Sequence, residues 1–394
     1  MISRLNPAVL GVEDPPIREA QDWLKGTSFP PDKPLIDLSQ ALPSYPPAEE
    51  LRDHLAELLR KGEMSAYTEI GGLPELREAY TGELSRVYDA GVGPGEVFIC
   101  AGCNQGFFLS MLSIAGHGDE VILPSPYYFN HRMTLEMIGV KPVLLPCVES
   151  EGMLPDPETA EMLLTKRTRA VVLVTPNNPT GAVYPRELIH RFFDWAHSRG
   201  IRLVLEETYR DFLKHDQGRP HELLEESWQE TLVQLYSFSK SFALAGYRIG
   251  AITASPELLR QIEKVMDCVS ICASQLSQRA VIFALERLDA WREGKRELMN
   301  TRAEAFRKYF EQMLEGSFRL SSIGPCFAYI SYVGTEVSAG NNAKSLAREK
   351  NMLLLPGSMF GSMQESFLRV AFANVDADCF PEVMARLRDF SAND

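Results

Sequence analysis

The stretch Thr231-Leu-Val-Gln-Leu-Tyr-Ser-Phe-Ser-Lys240 joins an apolar run to a lysine. The run predicts a buried strand, so the lysine lies where that strand ends. A lysine that forms Schiff bases needs a partly desolvated site, because burial and nearby cations lower its pKa and expose the lone pair of the amine. Arg248, eight residues further on, would supply such a cation and a fork of donors suited to a phosphate. Taken alone, the stretch is also compatible with a solvated lysine in a loop.

Apolar runs that end in polar or aromatic residues recur along the middle of the chain. One example is Arg169-Ala-Val-Val-Leu-Val-Thr175, which is typical of a strand buried on both faces of a parallel sheet. Helical patterns separate these runs from about residue 95 to 250, and this alternation predicts a mainly parallel α/β sheet. Ligand sites of such sheets lie at the carboxyl ends of the strands. The residues that follow the strands here are Gly102, Tyr128, Asn178, Glu206 and Lys240.

A candidate phosphate site lies where the short strand Val97-Phe-Ile-Cys100 runs into a helix. A glycine at such a turn lets backbone N–H groups face an anion, and the helix N-terminus adds about half a positive charge. Gly102, Cys103 and Asn104 therefore form a predicted phosphate cradle, although a strand-glycine-helix turn is common in any α/β protein.

Three strings together resemble a known family. They are Pro176-Asn-Asn-Pro-Thr-Gly181, Glu206-Glu-Thr-Tyr209 and Ser237-Phe-Ser-Lys240. With the glycine turn, they resemble the class I and II aminotransferases of fold type I, over about residues 37 to 372. The resemblance implies an α/β fold with a three-layer large domain, built on a mainly parallel sheet, and a smaller α+β domain. We place the large, cofactor-binding domain at residues 46–285, and the N-terminal arm plus small domain at 1–45 and 286–394.

The resemblance also implies a cofactor, pyridoxal 5'-phosphate, and roles for the residues that match the family. Lys240 would hold the cofactor as an internal aldimine and then act as the general base. Asn178 and Tyr209 would bond the ring oxygen, and Tyr128 would stack on the ring, unless it is simply a core residue. The phosphate cup would be completed by three side chains, Ser237, Ser239 and Arg248.

Further matches concern the substrate and a second subunit. The string Tyr67-Thr-Glu-Ile-Gly-Gly-Leu-Pro-Glu-Leu-Arg77 looks like the family segment whose tyrosine reaches the cofactor phosphate of the neighbouring subunit, which implies a homodimer. Arg369 aligns with the arginine that binds the substrate α-carboxylate, with Asn178 as a second contact; a structural ion pair is the alternative. Ala41 lies in a loop that approaches the substrate in the family but usually carries glycine, so a purely structural turn stays open.

One position departs from the family pattern, because Glu206 stands where the family has aspartate. That carboxylate keeps the pyridine nitrogen protonated, which makes the ring an electron sink. A charge pair about 4 Å apart gains ~4 kcal/mol at an effective dielectric constant of ~20. We hypothesise that Glu206 still pairs with the nitrogen and that its additional methylene is absorbed locally.

Composition limits the remaining function classes. The chain has 394 residues and a net charge of −13, which predicts more than one lobe and argues against a nucleic-acid partner. Seven scattered cysteines show neither CxxC pairs nor zinc-ligand spacing, so we expect reduced thiols, no metal site and a cytoplasmic protein. No apolar run approaches the length of a membrane span, and the N-terminus lacks the apolar core of a signal peptide.

The sequence leaves the reaction and the substrate open. A lyase or cyclase acting on an amino acid uses the same scaffold and is the alternative to an aminotransferase. The sensor domain of a transcription regulator would need a DNA-binding module, and none is recognised. Asn130, His131 and Arg210 lie close enough to the motifs to be candidates for contact with the substrate side chain, with an ordinary surface or supporting position as the alternative.

Overall fold

The computed structural model describes residues 5–62, 64–225, 227–314, 316–333 and 339–391. The helices among these residues are α1 Pro7–Leu10, α2 Pro16–Asp22, α3 Glu49–Lys61, α4 Pro74–Tyr88, α5 Cys103–Ile114, α6 Phe129–Met137, α7 Pro157–Leu163, α8 Arg186–Arg199, α9 Phe238–Ser241, α10 Pro256–Val269, α11 Gln275–Arg287, α12 Asp289–Leu314, α13 Ala339–Glu349 and α14 Phe380–Ser391. The strands are β1 Ile36–Asp37, β2 Val97–Cys100, β3 Glu120–Ser125, β4 Lys141–Pro146, β5 Thr168–Val174, β6 Arg202–Glu206, β7 Leu232–Ser237, β8 Gly250–Thr253, β9 Phe318–Ile323, β10 Ala328–Tyr332, β11 Met352–Leu353, β12 Leu355–Pro356 and β13 Phe367–Val370.

The largest sheet has seven strands in the order β2-β8-β7-β6-β5-β3-β4. Strands β3 to β7 pair in parallel, and β8 is antiparallel to both of its neighbours. The prediction of a mainly parallel α/β sheet is confirmed. Its central strands are mostly buried and mainly apolar because helices cover both of their faces.

Strand β5 shows how the sheet separates two apolar layers. Val171 and Leu173 belong to one buried cluster, with residues of α3, α4, α8 and α11. Ala170, Val172 and Val174 point the other way, into a cluster with residues of α5 and α10. Alternate side chains of a strand face opposite sides of the sheet, so the large unit has three layers.

A second unit is built around a four-stranded antiparallel sheet in the order β12-β13-β10-β9. Its core includes apolar residues of α12, α13 and α14, and also takes Ala20 and Trp23 from the N-terminal arm. This is the smaller α+β unit that the resemblance implies, while the boundaries at residues 46 and 285 stay a prediction. No helix among the described residues is both long enough and apolar enough to span a bilayer.

The two sheets meet at a close backbone approach between Gly181, after β5, and Gly324, before β10. A Cβ atom on Gly324 would lie 1.9 Å from the carbonyl oxygen of Gly181. Only glycine permits such an approach. The turn Pro176–Gly181 is thereby held against the smaller sheet, on which Arg369 lies in β13 opposite Tyr329 of β10.

Candidate functional site

A cavity of about 500 Å³ opens between the two sheets at the carboxyl ends of the parallel strands. It is lined by most of the residues that the sequence predicts for the site. These are Ala41, Cys103, Asn104, Tyr128, Asn178, Glu206, Tyr209, Ser237, Ser239, Lys240, Arg248 and Arg369.

Lys240 lies on α9, the single helical turn that follows β7. Its Nζ is partly buried and donates a hydrogen bond to the carbonyl oxygen of Ala41, at 2.6 Å. Burial lowers the pKa of Lys240 to about 8, and the positive charges of Arg248 and Arg369 act in the same direction. A lysine with this pKa is neutral in about one molecule in ten at pH 7, so it can act as a nucleophile or a base.

The N-terminus of α5 forms one end of the cavity. Gly102 precedes this helix with φ +84°, and a Cβ atom on it would lie 2.8 Å from Nη2 of Arg248. The guanidinium therefore packs directly on the glycine, where it also donates to the carbonyl oxygen of Ala101 at 3.2 Å. Ser237 and Ser239, linked by a hydrogen bond of 2.8 Å between their hydroxyls, line the same cavity. This end combines hydroxyl, guanidinium and helix N-terminal donors, a set suited to an anion.

The carboxylate of Glu206 is buried, and both of its oxygens are hydrogen-bonded. Oε2 lies 2.9 Å from Nε2 of His131, and Oε1 accepts from the hydroxyl of Thr208 at 2.9 Å. Nδ1 of His131 is buried with no hydrogen-bond partner among the described residues. A neutral imidazole with its proton on Nε2 leaves no buried N–H unpaired, so the pair presents one negative charge to the cavity.

Two tyrosines and an asparagine line the wall beside this carboxylate. The hydroxyl of Tyr128 accepts from Nδ2 of Asn130 at 2.8 Å, and the ring of Tyr209 meets Phe327 edge to face with centroids 5.3 Å apart. Burial raises the pKa of Tyr128 to about 12 and that of Tyr209 well above its ordinary value. Both hydroxyls therefore stay protonated near neutral pH and can donate hydrogen bonds.

Arg369 lies at the opposite end of the cavity, buried between the rings of Phe327 and Phe360, which are 5.0 and 4.8 Å from its guanidinium carbon. Nη1 donates to Oδ1 of Asn178 at 2.8 Å, and Nη2 donates to the carbonyl oxygen of Ser39. Nε has no hydrogen-bond partner among the described residues. Burial lowers the pKa of Arg369 to about 10, and neighbouring groups, Asp37 among them, offset only part of this effect. Among the described residues, Arg369 donates hydrogen bonds only to neutral carbonyl groups.

Several predicted residues lie elsewhere. Gly102 supports the cavity from behind Arg248, and Tyr67 is 77 % exposed and does not line the cavity of its own chain. Of the three candidates for the substrate side chain, Asn130 lines the cavity and His131 lies behind Glu206. Arg210 takes the supporting position that the sequence analysis gave as the alternative, because its guanidinium carbon is buried 3.8 Å from the ring centroid of Tyr236 and does not line the cavity.

The sequence interpretation missed three kinds of residue. Thr208 stands two positions after Glu206, in the turn that follows β6, and its closeness in sequence is the signal that could have linked the two residues. Pro15 and Ile17 bring the N-terminal arm to the cavity, a contact that no local pattern reveals. Ser39 contributes a backbone carbonyl, which any residue type would supply.

Comparison with known proteins gives consistent matches. A family model described as aminotransferase class I and II matches residues 33–387. The aspartate aminotransferase of Pyrococcus horikoshii is 28% identical over 341 residues, which cover 86% of this chain and 86% of that protein. An aromatic aminotransferase of Arabidopsis thaliana is 27% identical over 394 residues, which cover 98% and 95%.

The fold has solved counterparts. The aspartate aminotransferase from Thermus thermophilus with maleate superposes with a TM-score of 0.87 at 24% identity, over 99% of this chain and 100% of that one. A structure described as Pyrococcus protein-A1 superposes with a TM-score of 0.89, also at 24% identity, over 97% of each chain. At this identity the likeness concerns the fold.

Proposed function

Because the chain belongs to the class I and II aminotransferase family, we propose that it moves the amino group of an L-amino acid to a 2-keto acid with pyridoxal 5'-phosphate bound at Lys240. The relatives named above are aminotransferases, and they do not favour the alternative of a lyase or cyclase. The observation that carries the proposal is the amine of Lys240, which lies in the cavity between an anion site and the buried cation Arg369.

The polar groups of the cavity suit the phosphate and the pyridine ring of this cofactor. Its phosphate suits the end where Arg248 packs on Gly102, since a side chain at Gly102 would fill that cradle. The amides of Cys103 and Asn104 would bind the phosphate together with two hydroxyls. Those hydroxyls belong to Ser237 and Ser239.

The pyridine ring suits the wall that Glu206 shares with the two tyrosines. Glu206 would bind the ring nitrogen, since a carboxylate that accepts one hydrogen bond on each oxygen still has lone pairs available. Tyr209 and Asn178 would donate to the ring oxygen, and Tyr128 would stack on the ring face. When bound, the cofactor supplies an electron sink for the electrons left on the substrate Cα after its proton is removed.

Arg369 and Lys240 would act on the substrate itself. The α-carboxylate would bind the guanidinium of Arg369, where Nε is available and the other donors hold only neutral acceptors. Asn178, already hydrogen-bonded to Arg369, would be a second contact, and the loop of Ala41 would close over the substrate. Lys240, in the neutral form that its lowered pKa makes accessible, would take the proton from the substrate Cα through Nζ.

A homodimer is part of the proposal. Tyr67 is exposed on its own chain, and this supports a contact with the phosphate site of a second copy rather than a core role. The amino acid and keto acid are small molecules. A cytoplasmic location stays a prediction from the cysteine pattern.

The experiment is an absorption spectrum of the purified protein, recorded while single amino acids are added without keto acid. We expect a yellow band that bleaches with one class of amino acid and returns when a 2-keto acid is added. Lys240→Ala should abolish the response, whereas Lys264→Ala, an exposed lysine of α10, should not change it. A band that persists while product forms would indicate a lyase or cyclase. A wild-type protein that never takes up the cofactor would overturn the role of Lys240.

A further inference from the structure

The end of strand β6 brings Glu206 next to one of its hydrogen-bond partners, Thr208. Glu206 is the last residue of β6, and Thr208 lies two positions later in the turn that follows the strand. Their side chains meet at 2.9 Å, and both residues are at least nine-tenths buried. The contact therefore lies inside the site wall, where water does not compete for it.

A glutamate in this wall has a problem that an aspartate would not have. Its additional methylene adds a rotatable bond, so the carboxylate can swing away from the cavity unless both oxygens are fixed. His131, which approaches from α6, holds Oε2. This single contact holds Oε2 in place but still allows the carboxylate to rotate about that oxygen.

The hydroxyl of Thr208 prevents this rotation of the carboxylate. It has one proton and two neighbouring acceptors, Oε1 of Glu206 at 2.9 Å and Sγ of Cys103 at 3.2 Å. The carboxylate oxygen is the stronger acceptor, because hydrogen bonds to an ionised group are about twice as strong as neutral ones. The proton therefore goes to Glu206, and the sulfur is left beside the hydroxyl oxygen.

We propose that Thr208 is a positioning residue, whose hydroxyl locks the carboxylate of Glu206 in the orientation that binds the cofactor ring nitrogen. This inference rests on the proposed function. It explains how a chain with glutamate at this position holds the carboxylate in place, because Thr208 bonds Oε1 and His131 bonds Oε2.

The test compares Thr208→Val, which keeps the shape and removes the hydroxyl, with Thr208→Ser, which keeps the hydroxyl. The readouts are the dissociation constant of pyridoxal 5'-phosphate and the pH dependence of the absorption of the bound cofactor. We expect Thr208→Val to weaken cofactor binding on the order of 10-fold, the effect of losing a hydrogen bond to a charged group, and to shift the spectral titration. Thr208→Ser should restore both readouts to near the wild-type values.

Thr253→Val is the matched control, because the hydroxyl of Thr253 is also buried but has no hydrogen-bond partner among the described residues. It should leave cofactor affinity and spectrum unchanged. If Thr208→Val fails to fold by thermal unfolding, Thr208→Ala takes its place. Wild-type affinity and titration in a folded variant that lacks the hydroxyl would overturn the inference. A wild-type protein that does not bind the cofactor would instead overturn the proposed function.

Discussion

Glu206 and Glu207 are neighbours in sequence, yet they face opposite sides of the sheet end and belong to two different clusters. The cavity cluster consists of Glu206, Lys240 and Arg369, which line the candidate site. The buried cluster consists of Glu207 and the groups around it. These groups are Tyr88, Arg210, His221 and Gln234.

The buried cluster compensates its charges. Oε2 of Glu207 accepts hydrogen bonds from Tyr88 and Gln234 and contacts His221, while Arg210 lies near enough to stabilise the negative charge. Burial by itself would raise the pKa of Glu207, but His221, Arg210 and Gln234 outweigh it and hold that pKa below its ordinary value. The carboxylate therefore stays charged because its partners stabilise the charge, so we expect it to support the fold.

The cavity cluster compensates its cations only in part. Burial lowers the pKa of Lys240 to about 8 and that of Arg369 to about 10, although Glu206 raises the first and Asp37 the second. The hydrogen-bond partners of both cations are neutral carbonyl groups. An anionic ligand would therefore stabilise each cation further. Burial alone does not distinguish the two clusters; the extent to which neighbouring charges offset it does.

The largest expected effect is on turnover in Glu206→Gln. In the role proposed for Glu206, removing the charge would withdraw an interaction of ~4 kcal/mol with the cofactor ring nitrogen, so kcat should fall about 10³-fold. The free energy of unfolding of the cofactor-free protein should change by less than about 1 kcal/mol, because glutamine still reaches Thr208 and His131. Steady-state kinetics and urea unfolding measure the two quantities. Full turnover in this variant would contradict the ion pair.

The next effect is on stability in Glu207→Gln, the matched variant of the buried cluster. It removes the buried charge that His221 contacts at 3.2 Å and that Arg210 helps to stabilise, and losing one charged member of such a buried cluster costs about 3 kcal/mol. We expect a loss of that size in the free energy of unfolding, while kcat at temperatures below the transition stays within about threefold of wild type. The comparison fails if Glu207→Gln loses turnover and keeps its stability, because the two carboxylates would then have exchanged roles.

Features that depend on residues close together in the sequence could be predicted, whereas contacts between residues far apart in the sequence could not. The parallel sheet, Glu206 and Lys240 could be predicted because a buried strand and the residue at its end lie within ten positions of each other. The contact of His131 with Glu206 joins residues 75 positions apart, and no periodicity links them. Arg210 shows the converse case, since it adjoins a motif but its side chain packs on Tyr236 and not on the cavity. Direction and long-range pairing depend on packing, which the sequence pattern alone does not contain.

The smallest effect concerns the pH dependence of stability. It contrasts Lys240, whose buried charge destabilises the fold, with Glu207, whose buried charge supports it. The pKa of Lys240 is about 8 in the folded chain, whereas that of an unfolded lysine is about 10.4. Between these values the unfolded chain binds more protons, so the stability contribution of Lys240 rises with pH; below about pH 8 both states are protonated and the full penalty remains.

Lys240→Met removes that penalty, so the cofactor-free variant should be more stable than cofactor-free wild type at pH 7 by up to about 3 kcal/mol. This gap, the difference in the free energy of unfolding between the variant and wild type, should narrow towards pH 10, where Lys240 of the folded wild type is neutral. Urea unfolding at both pH values measures the gap, with Lys264→Met as the exposed-lysine control. A gap of the same size at both pH values would show that the stabilisation comes from packing of the methionine. Lys240 would then carry no uncompensated charge, and the contrast with Glu207, whose removal destabilises the fold, would lose its electrostatic basis.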